Sequence, residues 1–267
     1  VNLLTALPWW ILVPGMLLLI TSTSFLLREA LEPLLGSSKS QAASFAAPLM
    51  PALGILFAFM SGFAITAMWS GHGAAELTVS REATASDQLA WAATAQNVDT
   101  VPIQTALVSY LDAVIEVEWP RQSHSPHSLE RQSTELKNLQ QTVRSSASDP
   151  LVGQADAAAL INGVDELSTQ RSARVGASKN SMPLALFIAL VISGLALCVN
   201  ALIVSVGGER RSRRVTYSII VVVALDLAVL LILAGPFTGS QRVANSPLIE
   251  VRDLIVTGQV ASSAPTN

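Results

Sequence analysis

Two long apolar runs, Pro183–Val206 and Val215–Phe237, are separated by eight residues that carry four arginines, Gly207-Gly208-Glu209-Arg210-Arg211-Ser212-Arg213-Arg214. No other feature constrains the fold as much. A helix crossing a hydrocarbon core of ~30 Å needs ~20 residues, so each run has the length of a membrane helix. Short arginine-rich loops stay on the cytoplasmic side. Arg210, Arg211, Arg213 and Arg214 are therefore the topology determinants from which every other segment takes its side. Composition agrees: 51% of the 267 residues are hydrophobic and 13% charged, against about 25% charged in an ordinary soluble domain.

Two more runs precede these. Pro8–Leu27 begins with Trp9 and Trp10, and indole rings favour the headgroup level. It reads as a retained helix rather than a cleaved signal, because it has no basic lead and no clean small-x-small site after its core. Pro14-Gly15 is a kink candidate within it. Ser44–Trp69 contains Pro48, Pro51, Gly54 and Gly62, and its small residues permit close helix approach. This second run reads either as ordinary bundle packing or as a pore-lining helix whose small residues leave a path. Between the two runs, Arg28–Ala43 is a polar connector whose charges cancel.

The middle third, 71–182, is polar enough to leave the membrane, with thirteen acidic and eight basic residues. Four helices are expected in it. Ala74–Asn97 carries Leu77, Leu89 and Trp91 among many alanines. Gly71-x-Gly73 would interrupt its junction with the run before. Pro102–Glu118 places Ile103, Leu107, Tyr110, Leu111, Val114 and Ile115 on one face, with Asp99, Thr100 and Pro102 as start signals and Trp119-Pro120 as its end. Pro126–Ser145, capped by Ser125, shows a stripe of Leu129, Leu136, Leu139 and Val143. Gln154–Lys179 carries Ala158, Leu160, Ile161, Val164 and Leu167, then Arg171 and Arg174. Short links make an antiparallel four-helix bundle the natural arrangement. With only Cys198, inside the third membrane run, this domain has no cystine and must hold together by packing.

The expected fold is thus all-α: a polytopic membrane protein with four transmembrane helices and an inserted extracytoplasmic antiparallel four-helix bundle. Its parts are 1–70 with two membrane helices, 71–182 with the bundle, 183–237 with two more membrane helices, and 238–267 as a tail. The tail contains an amphipathic stretch, Pro247–Val256, suited to the membrane surface or the bundle. With the arginine loop inside, both termini and 71–182 lie outside a cell (inner) membrane. The acidic domain and the basic loop then occupy opposite sides.

Three landmarks occur in order: Tyr110-x-x-x-Val114-x-x-x-Glu118-Trp119-Pro120; Arg171-x-x-Arg174 followed by Pro183-x-x-Leu186-Phe187; and Pro236-Phe237-Thr238-Gly239 followed by Val243-x-x-x-Pro247. This set resembles the bestrophin-like family of membrane proteins of unknown function, over about Leu77 to Leu254. The resemblance implies a likeness to pentameric anion channels, without an established mechanism. One departure stands out. The family usually has an Asp-Arg pair just before the Pro-Phe, where this chain has Ala234 and Gly235.

Asp226 is the sharpest single residue. An ionisable group near the middle of a membrane helix costs ~2.5–3.5 kcal/mol on insertion scales and commonly marks a pathway or a partner. Asn200 and Ser193 are the expected intramembrane partners. Arg171, Arg174 and Lys179, near the outer surface, have two readings: a basic mouth that attracts anions, or ion pairs with Glu116, Glu118 or Asp165. Glu116 and Glu118, two apart, do not share a helix face and make a poor acid–base pair. His124, His127 and Glu130 have metal-like spacing, but Pro126 intervenes and no metal is assigned. Ser61-Gly62 and Thr238-Gly239 read as packing or turn signals. No nucleophile motif, phosphate loop or CxxC is present, so no catalytic residue, cofactor or enzymatic activity is expected. Nor does a net charge of −3 provide a basic field for nucleic acid. The expected partners are the lipid bilayer and either further copies of the chain or subunits of a membrane complex. The expected function is an oligomeric ion (anion) channel; the alternative is a non-catalytic accessory or scaffolding subunit docking through its extracytoplasmic bundle. A sensor ranks third, since the inner loops are too short for a signalling domain.

Overall fold

The computed structural model describes residues 9–120, 133–179, 183–206, 210–237 and 242–262, and among these every regular element is helical. The protein is an all-α polytopic membrane protein. Four of its helical stretches are long and apolar enough to cross a membrane: Trp9–Leu35, Lys39–Ala92, Ala185–Val206 and Arg214–Leu233. The chain divides into two compact units. The first comprises 1–70, 181–235 and 239–241; the second comprises 71–180, 236–238 and 242–267.

In the first unit, α1 (Trp9–Leu35) runs well past the apolar stretch, through Arg28 and Glu32. The polar connector 28–43 is therefore helical, with one 3₁₀ turn in it. Its charged residues are good helix formers, and the chain turns only at Gly36, where φ is +44°, a region that favours glycine. A 3₁₀ turn (Gly36–Ser38) leads to α2 (Lys39–Ala46), and a second one (Ala47–Leu49) to α3 (Met50–Ala92). Proline explains this second turn. Pro51 has no N–H for the Ala47 carbonyl, so the bond tightens and Met50 N–H donates to Ala47 O instead. The Ala46 carbonyl is then met from another helix: Asn200 Nδ2 donates to it at 3.0 Å. Asn200 is buried and also approaches Met50 Sδ at 3.3 Å. It works as a side-chain cap inside the membrane unit, where an unmet carbonyl is costly.

α7 (Leu184–Val206) packs on α1 and α2, and α8 (Arg210–Leu233) packs on α1 and α7. Thr216 Oγ1 donates to Ala201 O at 3.2 Å. Gly194 marks the tightest approach. A Cβ there would lie 3.0 Å from Phe57 Cε2 and 3.2 Å from Val223 Cγ1. The shared core includes Phe57, Ala64, Leu190, Leu202, Ile220 and Leu230. α8 starts at Arg210, earlier than the apolar run, because no breaker follows Gly208. Arg214 is exposed, whereas the side chains of Arg210, Arg211 and Arg213 lie outside the described residues.

In the second unit, Gly71 and Gly73 do not interrupt α3, which stays helical to Ala92. Asn97, with φ +64°, turns the chain into α4 (Thr100–Ala113). Asp99 stands at the N-cap position but makes no side-chain capping bond. Thr100 Oγ1 instead donates to Ala93 O at 2.8 Å. α4 passes into a π-helical turn, Val114–Glu118. α5 (Thr134–Ala147) is capped by Ser133, whose hydroxyl accepts from Leu136 N–H at 3.2 Å. The expected start at Ser125–Pro126, along with Leu129, lies outside the described residues. α6 (Gln154–Lys179) and α9 (Ser246–Val256) complete the unit. α4 packs on α5 and α9, and α5 on α6. One core joins Leu89, Ile103, Leu107, Leu139, Leu167 and Leu248. The stretch 247–256 thus buries its apolar side within this unit rather than lying on a membrane surface.

Candidate functional site

The second unit encloses a charged cluster built from three of its helices. The buried stripe of α6 is Leu160, Val164, Leu167, Arg171 and Arg174, spaced alternately four and three apart. Its last two positions carry guanidinium groups into the interior, with Arg174 0% and Arg171 4% exposed. The stripe of α3 is Ala75, Val79, Glu82, Ser86 and Leu89, all buried, and brings one carboxylate in. The π turn brings in another from Glu118. Arg174 Nε donates to Glu82 Oε2 at 2.5 Å, and its Nη2 donates to Glu118 Oε2 at 2.8 Å. Arg171 Nη2 and Nε both donate to Glu118 Oε1, at 2.6 and 3.1 Å. Tyr110 Oη donates to Glu82 Oε1 at 2.5 Å. Trp119 closes one side, with the Arg174 guanidinium 5.7 Å from its ring centre and Phe237 edge-on at 5.7 Å and 82°.

The π turn explains how Tyr110 and Glu118 reach the same place. On a regular helix of 3.6 residues per turn, positions eight apart sit about 80° from one another. The wider turn, closed by Trp119 N–H on Val114 O, brings the two directions closer. Such single π turns are frequent at functional positions.

Two carboxylates and two guanidiniums neutralise one another. Burial alone would raise the Glu118 pKa, but the Arg174 charge and the Arg171 bonds and charge outweigh it and hold it below the usual value. Burial first, then the Glu82 charge, push Tyr110 well above its ordinary value, so its proton stays in place. Burial opposes the charged form of Arg174, yet Glu82 and the other partners raise its pKa overall. The chemistry is that of a closed polar lock. Arg171 and Arg174 do not present their charge to an anion at a mouth, because Glu82 and Glu118 already hold them. Glu116 takes no part in the bonds described here and is exposed. Lys179 ends α6, and its side chain lies outside the described residues, as do His124, His127 and Glu130.

The first unit holds a second polar centre. Ser61 Oγ on α3 lies 2.6 Å from both carboxylate oxygens of Asp226 on α8. Ser61 is buried and Asp226 half-buried. The pair borders a groove of about 630 Å³ whose other walls include Gly54, Ala58, Gly62, Ser218 and Val222. Neither expected partner meets Asp226 by the bonds seen. Ser193 donates to Leu190 O on its own helix at 2.9 Å, and Asn200 caps Ala46. Sequence reasoning missed Ser61 because a serine next to glycine in a membrane run is common. Only the register between α3 and α8 singles it out. Glu82 and Tyr110 were missed as site residues for a different reason: the small-residue stripe of α3 was hidden among alanines.

Tyr110, Glu118, Trp119, Arg171, Arg174 and Phe237, drawn from three separated landmarks, meet in one buried cluster. Residues 15–248 match the family model described as the bestrophin-like domain. No curated protein matches the chain.

Proposed function

The chain belongs to the bestrophin-like family, and from that premise we propose that it is an oligomeric ion channel of a cell membrane, with a pathway bordered by the Ser61–Asp226 groove. The observation that carries the reading is a half-buried carboxylate on a groove inside the membrane unit. Carboxylates at such positions face bundle interiors or water-filled paths. A single chain leaves the groove open, since Ala58, Gly62, Ser218 and Val222 are exposed, and a second copy would close it. The family likeness brings with it the expectation of an anion.

The experiment is reconstitution of the pure full-length chain in vesicles, with chloride and potassium flux measured separately. Flux of either ion well above protein-free vesicles, from a homo-oligomer in mild detergent, is the expected result. No flux of either ion removes the reading. The second reading, an accessory subunit docking through residues 71–182, is favoured by the exposure of Trp91, Val101 and Leu151. Stoichiometric foreign partners in a mild-detergent preparation, together with silent vesicles, would select it.

In this proposal residues 71–182 and both termini face the extracytoplasmic side, supported by the arginines at 210–214 and the acidic balance of 71–182. Lys137 is exposed on α5. In a Lys137→Cys, Cys198→Ala chain, an impermeant thiol reagent should label intact cells. Labelling only after lysis would invert the orientation.

A further inference from the structure

We propose that Asp226 and Ser61 form a site for a hydrated monovalent cation, so that the channel of the preceding reading, on which this rests, passes cations in preference to anions. Donor and acceptor accounting along the groove points this way. An anion needs N–H or O–H groups or a cationic side chain. The Ser61 hydroxyl is already directed at Asp226. The Ser218 hydroxyl donates to Arg214 O at 3.0 Å. Lysine, arginine and histidine are absent from the described groove walls. What remains to the groove is oxygen with unused lone pairs: two carboxylate oxygens served by a single hydroxyl proton, and the Ser61 oxygen itself.

Oxygen ligands suit hard cations. One carboxylate per chain is too few for a divalent ion, which takes six or more oxygens and usually several carboxylates. A monovalent ion that keeps part of its water fits both the charge and the space. Apolar walls beside the carboxylate, such as Val222 and Ile219, lower the local dielectric. They strengthen its attraction for a cation and its repulsion of an anion.

Two measurements test this on the full-length chain. In the first, reversal potentials across vesicle membranes give the potassium-to-chloride permeability ratio. The wild type should favour potassium, and Asp226→Asn should lower the ratio about tenfold. Ser193→Ala, whose hydroxyl bonds within its own helix, should leave it unchanged. A chloride-selective wild type, or a ratio that Asp226→Asn does not move, overturns the proposal. The second measurement needs no conduction. Dicyclohexylcarbodiimide at pH 6 in choline buffer should modify Asp226, read by peptide mass, and potassium replacing choline should slow the reaction at least fivefold. An adduct that fails to form, or that potassium leaves unchanged, overturns the site. Potassium-protected labelling without flux removes the channel and keeps the site; chloride flux with unprotected labelling does the reverse.

Discussion

Arg174→Ala should cost about 3–5 kcal/mol, the range found when one partner of a buried ion pair is removed. The variant strips Glu82 of its two guanidinium bonds and Glu118 of one. It leaves two buried carboxylates facing a single guanidinium, and their desolvation is then uncompensated. It also opens a void against Trp119. In mild detergent the thermal midpoint of the full chain should fall on the order of 10 °C, and amide exchange should accelerate through 110–119. Removing charge in balance should be milder. Glu82→Leu with Arg174→Met, plus Tyr110→Phe to avoid a stranded hydroxyl, leaves Glu118 paired with Arg171. Apolar replacement of a buried pair is often neutral, so this triple variant should lie above Arg174→Ala. If it is as unstable as the single variant, the cluster's charge balance is not what matters.

The acid limb adds a second signature. Glu118 has a lowered pKa in the folded chain, against ~4.3 unfolded. Its contribution is present above that unfolded value and is lost as pH falls through the lowered folded one. Arg174→Ala removes the strongest lowering influence while burial remains, so the variant has less of this contribution to lose. The gap between wild type and variant should therefore narrow below about pH 4.3. A gap that stays constant from pH 7 to pH 3.5 would detach the effect from Glu118.

The membrane helices were legible because twenty apolar residues have few other uses, and the structure finds all four. The second unit was half legible. Where large apolar residues mark the buried face, as in α4 and α5, Ile103, Leu107, Leu136 and Leu139 fall where their spacing predicts. Where the face is built of alanine, the large apolar residues do not mark it. Leu77 and Trp91 are exposed at 48% and 56%, while the true stripe of α3 runs through Ala75, Val79, Glu82 and Ser86. Extending the four-three register of α6 beyond Leu167 would have placed Arg171 and Arg174 inside and asked for buried carboxylates to meet them. Polarity argued for the surface, and register overrode it. Asn200 illustrates another limit. Its partner carbonyl exists only because Pro51 tightens a turn in a distant segment, and pair spacing along one helix cannot reveal that. Glu118 is obscured for a related reason, since nothing in Val114–Glu118 distinguishes a π turn from an ordinary one.

That last point yields the second large effect. Inserting one alanine after Val117, an exposed residue within the π turn, removes almost no buried surface. On composition alone it should be nearly neutral. The geometry demands otherwise. The π turn already absorbs one residue beyond a regular helix, so a further one rotates every later position by about 100° relative to Tyr110. Glu118 then leaves Arg171 and Arg174, and Trp119 leaves Phe237. The loss should match or exceed that of Glu118→Ala, again about 3–5 kcal/mol, whereas Val117→Ala should stay within about 0.5 kcal/mol as an exposed substitution. The comparison separates register from side chain. Equal stability of the insertion and Val117→Ala, by thermal midpoint and by exchange at Tyr110–Trp119, would mean that the register through the π turn is incidental. A large difference would mean that register through this turn is what aims the Glu118 carboxylate at the two arginines.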